Sequence, residues 1–125
     1  MADRVLRHLF TGFVRLHILY HAEKEPICGV EIMEELARHR YQLGPGTLYP
    51  ILRHLEDEGY LACTPVVFNG KRRKYFRITT AGKKLLRRAR TQLHELVYEV
   101  LHDHDKRKEK SEGRLPRKKL HEAPR

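Results

Sequence analysis

The chain has no tryptophan, two cysteines, a single serine, and no apolar run near the roughly 20 residues of a membrane span. Each shortage removes a class of function. Cys28 and Cys63 form no C-x-x-C pair, so neither a disulfide framework nor a zinc finger is expected, and both read as small core or boundary residues. Ser111 stands alone, and no Ser or Cys lies in a recognisable nucleophile elbow. There is no glycine-rich phosphate loop, and neighbouring carboxylates such as Glu34 and Glu35 fit a solvated helix face. An enzyme is therefore not expected, nor a cofactor. The N-terminus interleaves Asp3, Arg4, Arg7 and His8 with apolar residues, unlike a signal peptide, so the expected compartment is the cytoplasm, without membrane attachment. Acid is also in short supply. The 16 Asp+Glu oppose 26 Lys+Arg, giving a formal net charge of +10 and a pI near 9.9. That balance suits an anionic polymer, nucleic acid above all.

At 125 residues the chain is long enough for one small domain with a modest core. From about Arg4 to Ala22, apolar residues from Val5 to Tyr20 are too many for one helical stripe. Such a helix is covered on more than one side, either within a monomeric core or by its own domain and a partner chain. Pro26 interrupts the pattern. After Gly29, residues Val30, Ile32, Met33, Leu36 and Ala37 alternate with Glu31, Glu34, Glu35 and Arg38 as a short amphipathic helix. A polar turn, His39-Arg40-Tyr41-Gln42, leads into a third helix. There Leu48, Ile51, Leu52 and Leu55 share one face, while Thr47, Tyr49, Arg53 and His54 fall off it. Gly59 ends it. The spacing predicts a helix-turn-helix whose second helix enters the major groove. Its start is open: Pro45 fits the first helical position after Gly44, but Pro50 then sits beyond the first turn and forfeits a backbone hydrogen bond. Either the helix begins nearer Thr47, which would cap it, or its first turn is bent.

Leu61–Phe68, Asn69-Gly70 and Lys71–Ile78 predict a β-hairpin closed by a type I′ turn, with Pro65 marking an edge or a bulge. Lys71, Arg72, Arg73 and Lys74 at the tip would neutralise phosphates beside the groove, which makes the hairpin a wing. Thr79 is placed to cap a last helix from about Ala81 to His102. In it Leu86, Leu93, Leu96, Val97 and Val100 belong to a stripe that must dock on the first helix, on a second copy, or on both. The fold class expected is α+β, mainly helical: a winged helix-turn-helix with a long C-terminal dimerisation helix. Its parts are a DNA-binding domain over 1–80, the dimerisation helix over 81–105, and a basic tail over 106–125 that lacks apolar periodicity.

Nine histidines raise the question of a metal. His17 and His21 lie four apart on one helical face, and His102 and His104 close the last helix, but no nearby cysteine completes a set. No metal site is expected.

Three blocks carry a family resemblance: Pro45-Gly46-Thr47-Leu48-Tyr49-Pro50, then Leu52-x-x-Leu55-x-x-x-Gly59-Tyr60-Leu61, then Arg73-Lys74-Tyr75-Phe76-Arg77-Ile78-Thr79-x-x-Gly82. Together they resemble the PadR family of bacterial transcriptional regulators over roughly Phe13 to Leu86, in its short-tailed subgroup. The resemblance implies a homodimeric repressor on a palindromic double-stranded operator. Thr47, Tyr49, Pro50 and Arg53 would face the groove, and Gly70 to Arg73 would form the wing tip. The chain departs from the family where Gly29-Val30-Glu31 replaces the common Gly-Tyr-Glu. Lacking tryptophan, it cannot build the tryptophan-lined drug pocket of some relatives, although a small-molecule inducer remains an expected partner. The competing expectation is a non-specific nucleic-acid-coating or protein-interaction module.

Overall fold

The Asp3 carboxylate accepts a hydrogen bond from the Val5 amide at 2.7 Å and so caps α1 (Arg4–Lys24). Residues 3–102 are those the structure, a computed structural model, describes. On α1 the buried positions are Val14, Ile18, Leu19 and Ala22, a single helical stripe, whereas Val5, Leu6 and Leu9 stay exposed. Pro26 then releases a two-residue strand, β1 (Ile27–Cys28), which the sequence pattern did not predict. α2 (Gly29–Arg38) follows without a linker, and the Glu31 carboxylate reaches back to the Cys28 amide at 3.1 Å to hold its start. α3 (Pro45–Asp57), β2 (Leu61–Phe68), β3 (Lys71–Ile78) and α4 (Thr80–Val97) complete the order, with a π-turn over Tyr98–His102.

The sheet is antiparallel in the order β1-β3-β2. The β2–β3 hairpin runs from Leu61↔Ile78 to Phe68↔Lys71 without a register break, so Pro65 marks an edge strand and not a bulge. Asn69 and Gly70 take φ of 52° and 75°, the left-handed pair that a type I′ turn requires. Thr79 caps α4 as the sequence predicted. Its hydroxyl accepts from the Gly82 amide at 3.0 Å and donates to the Gly59 carbonyl at 2.7 Å, tying the helix start to the end of α3.

α2 and α3 close with the same hydrogen-bond pattern but different residues. After α3, the Gly59 amide donates to Glu56 and the Tyr60 amide to Leu55, with Gly59 at φ 86°. After α2, the Arg40 amide donates to Ala37 and the Tyr41 amide to Leu36, with Arg40 at φ 68°. Both are Schellman closures, in which glycine normally takes the left-handed position. Arginine there carries a steric cost of about 1–2 kcal/mol.

Core residues come from every element of the first unit: the α1 stripe, Ile27, Ile32 and Leu36, the apolar face of α3, Leu61, Phe76, Ile78 and Leu86. Leu48 and Leu52 of α3 are fully buried, and truncating either to alanine would cost about 2–5 kcal/mol. Such anchoring makes α3 a rigid platform. The described residues fall into two compact units, divided after Ala89. The first extends past the expected boundary at residue 80 because Gly82 and Leu86 are buried in it. The expected tail over 106–125 lies outside the described residues. Among the described residues, no helix is long and apolar enough to cross a membrane.

Candidate nucleic-acid interface

α3 divides its side chains cleanly. Leu48, Ile51, Leu52 and Leu55 are buried, and Thr47, Tyr49, Pro50, Arg53 and His54 are exposed. The helix starts at Pro45, with Gly44 as its cap, so Thr47 is a first-turn residue and not the cap. The first turn is tightened: the Thr47 and Leu48 amides both donate to the Gly44 carbonyl, at 3.1 and 3.0 Å. Pro50 sits inside the helix, where its missing N–H deprives the Gly46 carbonyl of its i+4 donor. The Thr47 hydroxyl lies beside a helix N-terminus, whose dipole favours phosphate. His54 is drawn toward Glu58, 3.6 Å away on the next turn.

Tyr49 is held by a contact the sequence did not reveal. Its ring lies against the backbone of Gly29, the first residue of α2: a Cβ built on Gly29 would fall 2.6 Å from Tyr49 Cζ and closer still to the hydroxyl. Tyr49 remains 40% exposed. It is thus partly a spacer between α2 and α3, with only the remaining surface available to a ligand. The glycine at 29 is the signal that could have betrayed this contact.

On the hairpin, Gly70, Lys71, Arg72, Arg73 and Lys74 are all exposed. Strand alternation distributes the four cations between two faces: Arg72 and Lys74 share the face of Phe76 and Ile78, Lys71 and Arg73 that of Tyr75 and Arg77. Arg73 lies two residues up the strand from Lys71, with its Nη1 3.7 Å from the Cys28 sulfur. It belongs to the base of the wing as much as to its tip. Cys28 is buried, and burial, reinforced by Glu56, pushes the Cys63 thiol up from its ordinary range and so keeps it protonated.

The residues expected at a dimer interface separate into two groups. Leu86 is 4% exposed and packed in the first unit's own core, which corrects its assignment: its apolar surface is already covered within the chain. In the second unit Leu93 is half-buried, and Leu96, Val97 and Val100 are exposed.

Histidines gather where only two were foreseen. His17 and His21 are joined by His39, the C-cap of α2, and one ligating atom from each lies within 4.8 Å of the others. The His17 ring is stacked on that of His39 at 4.7 Å and meets the edge of Tyr41 at 5.2 Å. Burial, followed by the neighbouring imidazoles of His39 and His21, holds His17 below the ordinary histidine range. Burial likewise lowers His21, against an upward pull from Glu35. His39 escaped the sequence reading because only the α2–α3 turn brings it to α1. His102 stacks on Tyr98 at 5.2 Å, and His104 lies outside the described residues.

Residues 18–88 match the transcriptional regulator PadR-like family. The chain is similar to the transcriptional regulator Rv3488 of Mycobacterium tuberculosis (strain ATCC 25618 / H37Rv), with 43% identity over 96 residues, covering 77% of this chain and 90% of that protein. A solved PadR-like transcription factor from Bacteroides fragilis superimposes with a TM-score of 0.70 at 30% identity, over 80% of this chain and 98% of the other. A PadR family transcriptional regulator from Eggerthella lenta DSM 2243 gives 0.68 at 33% identity, over 77% and 85%.

Proposed function

The chain belongs to the PadR-like family of transcriptional regulators, and from that premise we propose that it is a homodimeric, sequence-specific repressor of a palindromic operator. The carrying observation is the division of α3 into a buried leucine face and an exposed face of Thr47, Tyr49, Pro50 and Arg53, followed along the chain by the cation-bearing hairpin. In this reading Arg53 and the free edge of Tyr49 meet base edges, the Thr47 hydroxyl at the α3 N-terminus meets phosphate, and Lys71, Arg72, Arg73 and Lys74 neutralise the flanking backbone. Regulation of transcription is the chemistry of binding, and no residue here is asked to react.

Dimerisation is supported by apolar surface that a single chain leaves wet. Leu6 is 60% exposed and Leu96 49%, and Val97, Val100 and Leu93 extend the second patch; a second copy would cover both. An open groove of about 470 Å³ in the first unit, lined by Leu9, Phe13, Leu16, Leu19, Leu55 and Leu85, supports relief by a small apolar ligand. The cytoplasm is the compartment this role requires.

Selection from a random DNA library by the purified chain tests the reading. A palindromic site bound about 10³–10⁷ times more tightly than random DNA is expected. A ratio near one would leave the coating module. Leu96→Asp should yield monomers in sedimentation and lose the operator, and an intact dimer would overturn that interface.

A further inference from the structure

We propose that His17, His21 and His39 bind one divalent transition-metal ion, of the zinc class. The three imidazoles come from the second half of α1 and from the residue that caps α2, and their ligating atoms lie within 4.8 Å of one another. A tetrahedral zinc ion with Zn–N near 2.0–2.1 Å holds its donors about 3.4 Å apart. Side-chain rotation has to bring the donors closer by up to about 1.4 Å.

A second observation points to a ligand independently. The Nε2 atom of His21 is buried and has no hydrogen-bond partner. The facing carboxylate oxygen, Glu35 Oε1, is 3.8 Å away, too far for a hydrogen bond. Buried polar atoms in native proteins are nearly always satisfied, and a metal ion accepts the lone pair that this nitrogen offers. Glu35 then stands where a carboxylate ligand or an outer-shell partner belongs, its other oxygen held by Arg38 at 2.9 Å. The His17 ring stacks on His39 and meets the edge of Tyr41, contacts that hold the imidazoles near one another. The neutral imidazole that a metal needs is also the form that burial favours at His17 and His21.

The position gives the ion a consequence. His39 immediately precedes the left-handed Arg40, in the turn that leads to Pro45 and α3. An occupied site ties α1 to that turn, and so adjusts how firmly α3 is seated; this effect rests on the DNA-binding reading above, whereas the site itself does not.

The experiment titrates the metal-free full chain with Co²⁺ in the absence of DNA, then displaces it with Zn²⁺. The expected result is visible d–d absorption of a four-coordinate, nitrogen-ligated cobalt, saturating at one ion per chain and bleached by zinc. His39→Gln, at an exposed position, should weaken binding at least tenfold with the fold intact by circular dichroism, and His94→Gln should leave it unchanged. Absence of those bands, or equal losses in both variants, overturns the site. Operator affinity measured with Zn²⁺ and with a chelator then reads the coupling: a change of threefold or more supports it, and an unchanged affinity in a chain that shows the cobalt bands overturns the coupling alone.

Discussion

Gly29→Ala probes the contact between α2 and the exposed face of α3 with a single methyl group. The new Cβ would lie 2.6 Å from Tyr49 Cζ and 2.8 Å from Cε1, well inside van der Waals contact. Something must move, and the end of a half-exposed tyrosine yields more readily than two helices. Overpacking of this kind costs about 1–3 kcal/mol. The substitution also replaces the helix-disfavouring glycine, a gain of up to about 1 kcal/mol, so a net destabilisation of up to about 3 kcal/mol is expected. For a chain of this length that lowers Tm by about 3–6 °C per kcal/mol. The informative measurement is a double-mutant cycle by urea denaturation. With Tyr49→Ala already in place the clash is gone, and Gly29→Ala should become neutral or stabilising, giving a coupling energy of about 1–3 kcal/mol. Operator binding supplies a second readout, because a displaced Tyr49 should cost about 1–3 kcal/mol at the base pair it reads. If Gly29→Ala had the same effect in both backgrounds, to within about 0.5 kcal/mol, the packing role of Tyr49 would be refuted.

Replacing Lys71, Arg72 and Lys74 together with alanine should weaken binding to all DNA sequences and flatten the log–log salt dependence by about 0.9 per lost phosphate contact, measured by fluorescence anisotropy; an unchanged slope would remove the wing from the interface. Arg40→Gly should raise stability by about 0.5–1 kcal/mol, since glycine accepts the left-handed φ without steric penalty but loses more entropy on folding; a lower urea midpoint would show that the arginine side chain contributes more than its backbone costs. For His17 and His21, folded-state values below the unfolded one mean that the unfolded chain takes up protons first as the pH drops. Their contribution is full above the unfolded value of about 6.5 and is lost as pH falls through the folded values. Stability followed in a chelator from about pH 8 to about pH 5 should therefore decline, and His17→Gln should make the decline shallower; an identical slope in the variant would exclude His17 as a cause.

The hairpin was legible almost to the residue because its determinants are local. Asn69-Gly70 dictates the turn, the turn dictates the register, and Pro65 announces the edge. The α3 face was equally readable, since Leu48 to Leu55 repeat at helical spacing. Its start was not, because Pro45 and Pro50 make opposing demands, and the helix begins at Pro45 with Pro50 kept inside it. β1 carries two residues and no periodicity of its own; its conformation comes from Tyr75 and Phe76 across the sheet. Leu86 looked like the rest of its stripe, yet the first unit buries it, a distinction that depends on where the core ends and not on spacing. The third histidine required the α2–α3 turn to fold back onto α1, information spread over more than one element.

The β1–β3 pairing also has a kinetic meaning. β2 and β3 meet across a two-residue turn, and such hairpins form in about 1–10 μs. Ile27 and Phe76, by contrast, close a loop of roughly fifty residues, whose entropy must be lost before any contact compensates for it. Until β3 exists β1 has nothing to pair with, so the hairpin precedes the docking of the α1–α2 junction along the folding route. Substitutions at Asn69 or Gly70 should then slow refolding, whereas those at Ile27 should mainly hasten unfolding. The wing is thus the template on which β1 is laid.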